Sequence, residues 1–101
     1  MVKFYFSLFR ERTVLVYSIY SRKPPAVIHS LLAGLKVTHV VIEDVWCSKK
    51  YRPGCALYEV WDNIDHDNQD KQVFCELVKD HTPDQFKLVF LNKSYRILQL
   101  L

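Results

Sequence analysis

Glycine is nearly absent from this 101-residue chain, which has only Gly34 and Gly54. Without a glycine-rich loop there is no phosphate cradle, and the nucleotide-binding classes built on one are excluded. No apolar run approaches the ~20 residues that a membrane helix needs, so no membrane contact is expected. The amino terminus lacks the basic-then-apolar layout of a cleaved leader. Cysteine is sparse and odd in number: Cys47, Cys55 and Cys75 are separated by eight and then twenty positions. Such a set argues against a disulfide framework and for a reducing, cytoplasmic setting. Nor does it offer the close pairs, about two to four residues apart, of structural zinc sites. No metal and no other cofactor is expected. Repeats, low-complexity tracts and linkers are missing as well, so residues 1–101 are expected to form a single domain.

Half of the residues are hydrophobic and 14% are aromatic, enough for a packed core and too many for disorder. The net charge of +3 is unevenly placed. Residues 1–55 carry nine Lys/Arg against three Asp/Glu, a net of +6, and residues 56–101 carry five against eight, a net of −3. Asymmetry of this kind can steer a charged partner. A folded surface that mixes the two signs is the simpler account.

The stretch from Lys36 to Val45 reads as a buried strand, because six of its ten residues are Val, Ile or Thr. Period-two alternation predicts strands over 2–9 and 71–78, branched and aromatic content a strand over 13–20, and 56–61 reads as a further short strand. Pro24 and Pro25 suit a first helical turn, Val27, Ile28, Leu31 and Leu32 follow helical spacing, and Gly34 is a natural stop, so a helix is expected over 24–33. Thr82, Pro83 and Asp84 read as a second helix start. The run from Tyr95 to Leu101 suits either a helical continuation or a last strand. Residues 46–55 and 62–70 are expected to be loops. The predicted class is α+β, a mostly antiparallel sheet of about five strands with two helices in the order β-β-α-β-β-β-α.

Within that arrangement His39 and Glu59 fall on consecutive predicted strands. A carboxylate beside an imidazole can fix its tautomer and support a general base. Catalysis would also need a nucleophile, and Cys47, Cys55 and Cys75 are the candidates. Lys49, Lys50 and Arg52 would give Cys47 and Cys55 an electropositive setting. Lys49-Lys50-Tyr51-Arg52 also places an aromatic ring among cations, as nucleic-acid contacts do, but its footprint is small. His66 among Asp62, Asp65 and Asp67 is read as an acidic solvated turn.

Tyr17-Ser18-Ile19-Tyr20-Ser21-Arg22, the helix with Val27-Ile28 and Leu31-Leu32, Thr38-His39-Val40-Val41-Ile42 and Tyr58-Glu59-Val60 together resemble the circularly permuted, NlpC-type papain-like thiol hydrolases. Thr82-Pro83-Asp84-Gln85 and Lys93-Ser94-Tyr95-Arg96 extend the resemblance. It implies His39 as base and Glu59 as its orienting acid. The family's cysteine lies beyond the last of these segments, and this chain ends at Leu101 before reaching it. The resemblance therefore implies a fold relative without catalysis. The expected role is a small protein-binding accessory or inhibitor domain, of viral or mobile-element origin, meeting its partner through Trp46, Lys49, Lys50, Tyr51, Arg52 and Trp61. The alternatives are a Cys-His thiol hydrolase or acyl-transferase, and nucleic-acid binding through the basic amino-terminal half, which is not favoured.

Overall fold

Pro25 occupies the first turn of helix α1, Pro25–Gly34, and the Pro24 carbonyl accepts the backbone N–H groups of Val27 and Ile28 at 3.0 and 3.1 Å. Ile28 and Leu32, one helical turn apart, are both fully buried. The computed structural model describes residues 12–47 and 57–101. Around α1 it contains strand β1, His39–Glu43, helix α2, Leu57–Ile64, helix α3, Phe74–Asp80, and strands β2, Phe86–Leu91, and β3, Tyr95–Leu100. Residues 12–16 are helical and run into a 3₁₀ turn, Tyr17–Tyr20. Shorter 3₁₀ turns cover Asp44–Cys47 and His66–Asn68.

The sheet order is β1-β3-β2, with both pairs antiparallel. β1 alternates strictly. Val40 and Ile42 point into the core, and His39, Val41 and Glu43 point out. The inward row continues through Leu98 and Phe86, and α1 and α3 cover it with Ile28, Leu32, Phe74, Cys75 and Val78. Each of the large aliphatic and aromatic side chains among them contributes roughly 1.5–3 kcal/mol by leaving water. Phe74 and Phe86 meet at 5.4 Å between ring centroids, and His29 sets its ring edge-on to Phe86 while its Nε2 lies 2.8 Å from the Leu101 carbonyl.

The expected α+β class stands, but the sheet has three strands among the described residues, and several elements change type. Residues 13–20 are helical rather than extended. Ser18, Ile19 and Tyr20 are consecutive and all buried, which an alternating strand with one exposed face would not produce. Residues 57–64 and 74–80 are helices where strands were expected. In the second of these Phe74, Cys75 and Val78 bury one helical face, a spacing of three to four and not of two. The Thr82-Pro83-Asp84 signal makes a turn, with Phe86 N–H bonded to Pro83 O at 3.0 Å, and the apolar run behind it becomes β2. Tyr95 to Leu100 takes the strand alternative. The strand expected over 2–9 lies outside the described residues.

Helix α1 also stops later than its glycine. Gly34 is still helical, and the chain turns at Lys36, whose φ is +64°. Lys36 N–H bonds to Ala33 O at 2.9 Å and Val37 N–H to Leu32 O at 3.1 Å, the paired bonds of a Schellman ending. A side chain in this left-handed region costs about 1–2 kcal/mol relative to an ordinary conformation. Lys36→Gly is expected to raise stability by about 0.5–1 kcal/mol, the relief being partly offset by the freer unfolded chain. Urea unfolding should show a higher midpoint at unchanged slope, and a lower midpoint would mean that the lysine side chain contributes more than its backbone costs.

Candidate functional site

The strand pairing expected between His39 and Glu59 does not form, because β1 pairs with β3 and residues 57–64 are a helix. His39 opens β1 on the exposed side of the sheet, with Nδ1 3.0 Å from Thr38 Oγ1. Glu59 sits half-buried in the first turn of α2, where a negative charge is favoured. Cys47 and Cys75 are joined by a disulfide, with Cα atoms 5.9 Å apart, and both are buried. The bridge ties the turn that leaves β1 to the first turn of α3. A structural disulfide belongs to an oxidising compartment, so the reducing setting inferred from three cysteines is corrected. Two of the three candidate thiols are thereby consumed. Cys55 lies outside the described residues, as do Lys49, Lys50, Tyr51 and Arg52.

The two tryptophans proposed for partner binding are placed very differently. Trp46, in the turn after β1, is 47% exposed. Trp61 is only 7% exposed, and its Nε1–H donates to the Tyr17 carbonyl at 2.9 Å. The Lys23 ammonium lies 5.7 Å from the Trp61 ring centre and 3.1 Å from the Asp65 carboxylate. Burial pushes the Asp65 carboxyl up, but hydrogen bonds from Asn68 and Lys23 outweigh it and hold the group below its ordinary value. Arg22 completes the clasp, donating through Nε to Asp62 at 2.9 Å and through Nη1 to Lys71 O at 2.8 Å. Asp62 and Asp65, read as members of a solvated acidic turn, are therefore ion-pair partners that fasten α2 and its outgoing turn to the segment before α1. Burial likewise pushes the Tyr20 phenol up, against a smaller opposing hydrogen bond from the Glu43 backbone.

Among the described residues, exposed large apolar side chains come in runs at two places, besides isolated ones such as Val27, Ile64 and Leu101. β1 and its outgoing turn expose Val41, Val45 and Trp46. The β2–β3 hairpin exposes Leu88, Val89, Phe90 and Leu91, and Phe90 stacks on Tyr95 at 5.5 Å. A register shift between Leu88 and Phe90 sets Phe90 opposite Ile97. Among the described residues no group of three or more His, Cys, Asp or Glu is placed to hold a metal ion, and no helix is long and apolar enough to cross a membrane. Val41 and the hairpin surface were missed from sequence because their exposure depends on which face the helices cover.

Residues 6–100 match the family described as Dpy19, Q-cell neuroblast polarisation. The chain is 44% identical to the protein C-mannosyl-transferase DPY19L1 of Mus musculus over 91% of its length, and 41% identical to that of Homo sapiens over 90%. It is 33% identical to the C-mannosyltransferase dpy-19 of Caenorhabditis elegans, again over 90%. These stretches make up 12%, 14% and 15% of those relatives, so the chain spans about an eighth of their length. The matches overturn the resemblance to papain-like thiol hydrolases, and with it the accessory or inhibitor role and the viral or mobile-element origin. They equally overturn the cytoplasmic placement, which rested on the odd cysteine count, and the exclusion of a membrane, which rested on the lack of a long apolar run in this stretch alone.

Proposed function

The chain belongs to the Dpy19 family, and on that premise we propose that it is a segment of a C-mannosyltransferase, folded as one α+β unit on the extracytoplasmic, oxidising side of a membrane. The observation that carries this reading is a buried disulfide, Cys47–Cys75, inside a stretch that matches the Dpy19 family nearly end to end and whose relatives are named C-mannosyltransferases. Transfer of a mannosyl group to carbon breaks the sugar's bond to its donor and needs groups that move a proton at the acceptor. The described residues supply no cluster of buried carboxylates for that work, which favours a supporting role for the segment. In this reading the exposed Val41, Val45 and Trp46 meet the remainder of the longer polypeptide, with His39 as a hydrogen-bonding group at the end of the same strand. Burial of an exposed tryptophan at the centre of a contact is a common source of binding energy.

A chimera tests this. Residues 6–100 are substituted for the matching segment of the mouse relative, and mannose on an acceptor peptide is measured by mass. The chimera should transfer mannose, and Val41→Glu with Trp46→Arg should reduce transfer at least tenfold. Both side chains are about half exposed, so the isolated segment should keep its stability to within about 0.5 kcal/mol. A double variant that transfers as well as the parent chimera would discard the proposed contact. A folded but inactive parent would discard the transferase reading.

A further inference from the structure

The tight connection between β2 and β3 is Asn92-Lys93-Ser94, and all three residues are exposed. Asparagine, any residue but proline, then serine is the acceptor signal for an N-linked glycan. We propose that Asn92 is such a site, modified by an oligosaccharide carried on a lipid pyrophosphate. The proposal rests on the extracytoplasmic placement argued above, because only there would the chain meet that donor.

The turn presents the acceptor atom. Asn92 N–H bonds to Tyr95 O at 3.0 Å, closing the hairpin. Asn92 Oδ1 accepts the backbone N–H groups of Ser94 and Tyr95 at 2.9 and 2.8 Å. The carboxamide oxygen is thus held inside the turn, and Nδ2 has no hydrogen-bond partner among the described residues. In the transfer a bond forms between Nδ2 and the anomeric carbon of the first sugar. The bond from that carbon to the pyrophosphate oxygen breaks, the lipid pyrophosphate leaves with the electron pair of that bond, and Nδ2 gives up one proton, which the departing pyrophosphate or solvent takes up.

Asn, Lys and Ser are also ordinary turn residues. What marks this turn is the aromatic pair beside it. Phe90, in β2, stands two positions before Asn92, which directly follows the last residue of that strand, Leu91. It is 44% exposed and stacks on Tyr95 with 26° between the rings. Such a pair offers an electron-rich face to the weakly positive C–H groups of a sugar ring. The exposed part of the Phe90 ring has no partner in the core, and the first sugar of a glycan at Asn92 would lie against it.

The full-length protein, expressed in a eukaryotic secretory cell, tests the site by peptide mass spectrometry. The peptide containing Asn92 should carry a glycan, and peptide N-glycosidase should release it and leave aspartate at position 92. Asn92→Gln and Ser94→Ala should each abolish the modification, Ser94→Thr should retain it, and Phe90→Ala should lower the occupied fraction. Occupancy in the unaltered protein decides the matter even if a variant misfolds. A bare Asn92 in protein whose Cys47–Cys75 bridge is intact overturns the proposal and leaves the compartment reading standing. A bare Asn92 with both thiols free overturns the two together.

Discussion

Replacing Cys47 and Cys75 together by alanine is expected to destabilise the chain by about 3–4 kcal/mol. The two residues are 28 positions apart, and cross-linking a loop of that size removes this much conformational freedom from the unfolded chain in the entropic account of disulfides. Alanine is the informative replacement. Both sulfurs are buried, and serine would leave a hydroxyl in the core, adding a cost of about 1–3 kcal/mol unrelated to the bridge. Since most domains are stable by only about 5–15 kcal/mol, losing the bridge removes a large part of the margin. Urea unfolding of the oxidised protein, the reduced protein and the double variant makes the comparison. Reduced and double-variant midpoints should fall together, well below the oxidised one. Three coincident midpoints would show that the bridge does not form.

Phe74→Ala is expected to cost about 3–5 kcal/mol, the range for truncating a buried aromatic. Phe74 is among the largest fully buried side chains and packs against Phe86, which in turn meets His29 of α1. Its backbone N–H bonds to Ser21 O at 2.8 Å, so the residue begins α3 and fills the core under the sheet at once. Phe74→Leu should cost about 1–1.5 kcal/mol, because most of the volume is kept. Equal losses for the two variants would point to the backbone position, and not the ring, as the source. Cys75 is the next residue, so the disulfide and Phe74 effects should couple and not simply add.

The parts of the fold visible in sequence are those with punctuation of their own. Pro24 and Pro25 announce α1, and the density of branched residues from Val37 to Val45 announces β1. Elsewhere local preference misleads. Val73, Cys75 and Leu77 alternate with Phe74, Glu76 and Val78 as a strand would, yet the chain chose the helical register that buries Val73, Phe74, Cys75 and Val78 together. Thr82-Pro83-Asp84 serves a helix start or a turn equally well, and pairing of β2 with β3 decides for the turn. The candidate site was less legible still. His39 stands near the entry of a real strand, as expected, but its neighbour across the sheet is Gln99, a residue sixty positions away. Three cysteines allow several pairings, and their order along the chain carries no hint that the first and last would meet. The short motifs that suggested a thiol hydrolase each depended on elements whose type the packing reversed.

The covalent tie between positions 47 and 75 also governs how the molecule comes apart. A protease that cuts anywhere in the intervening stretch leaves both pieces attached, and the break stays hidden until a reductant is added. A cut between α3 and β2 has no such safeguard: it detaches the β2–β3 hairpin from the rest of the chain, so that β1 keeps its partner strand by non-covalent contacts alone.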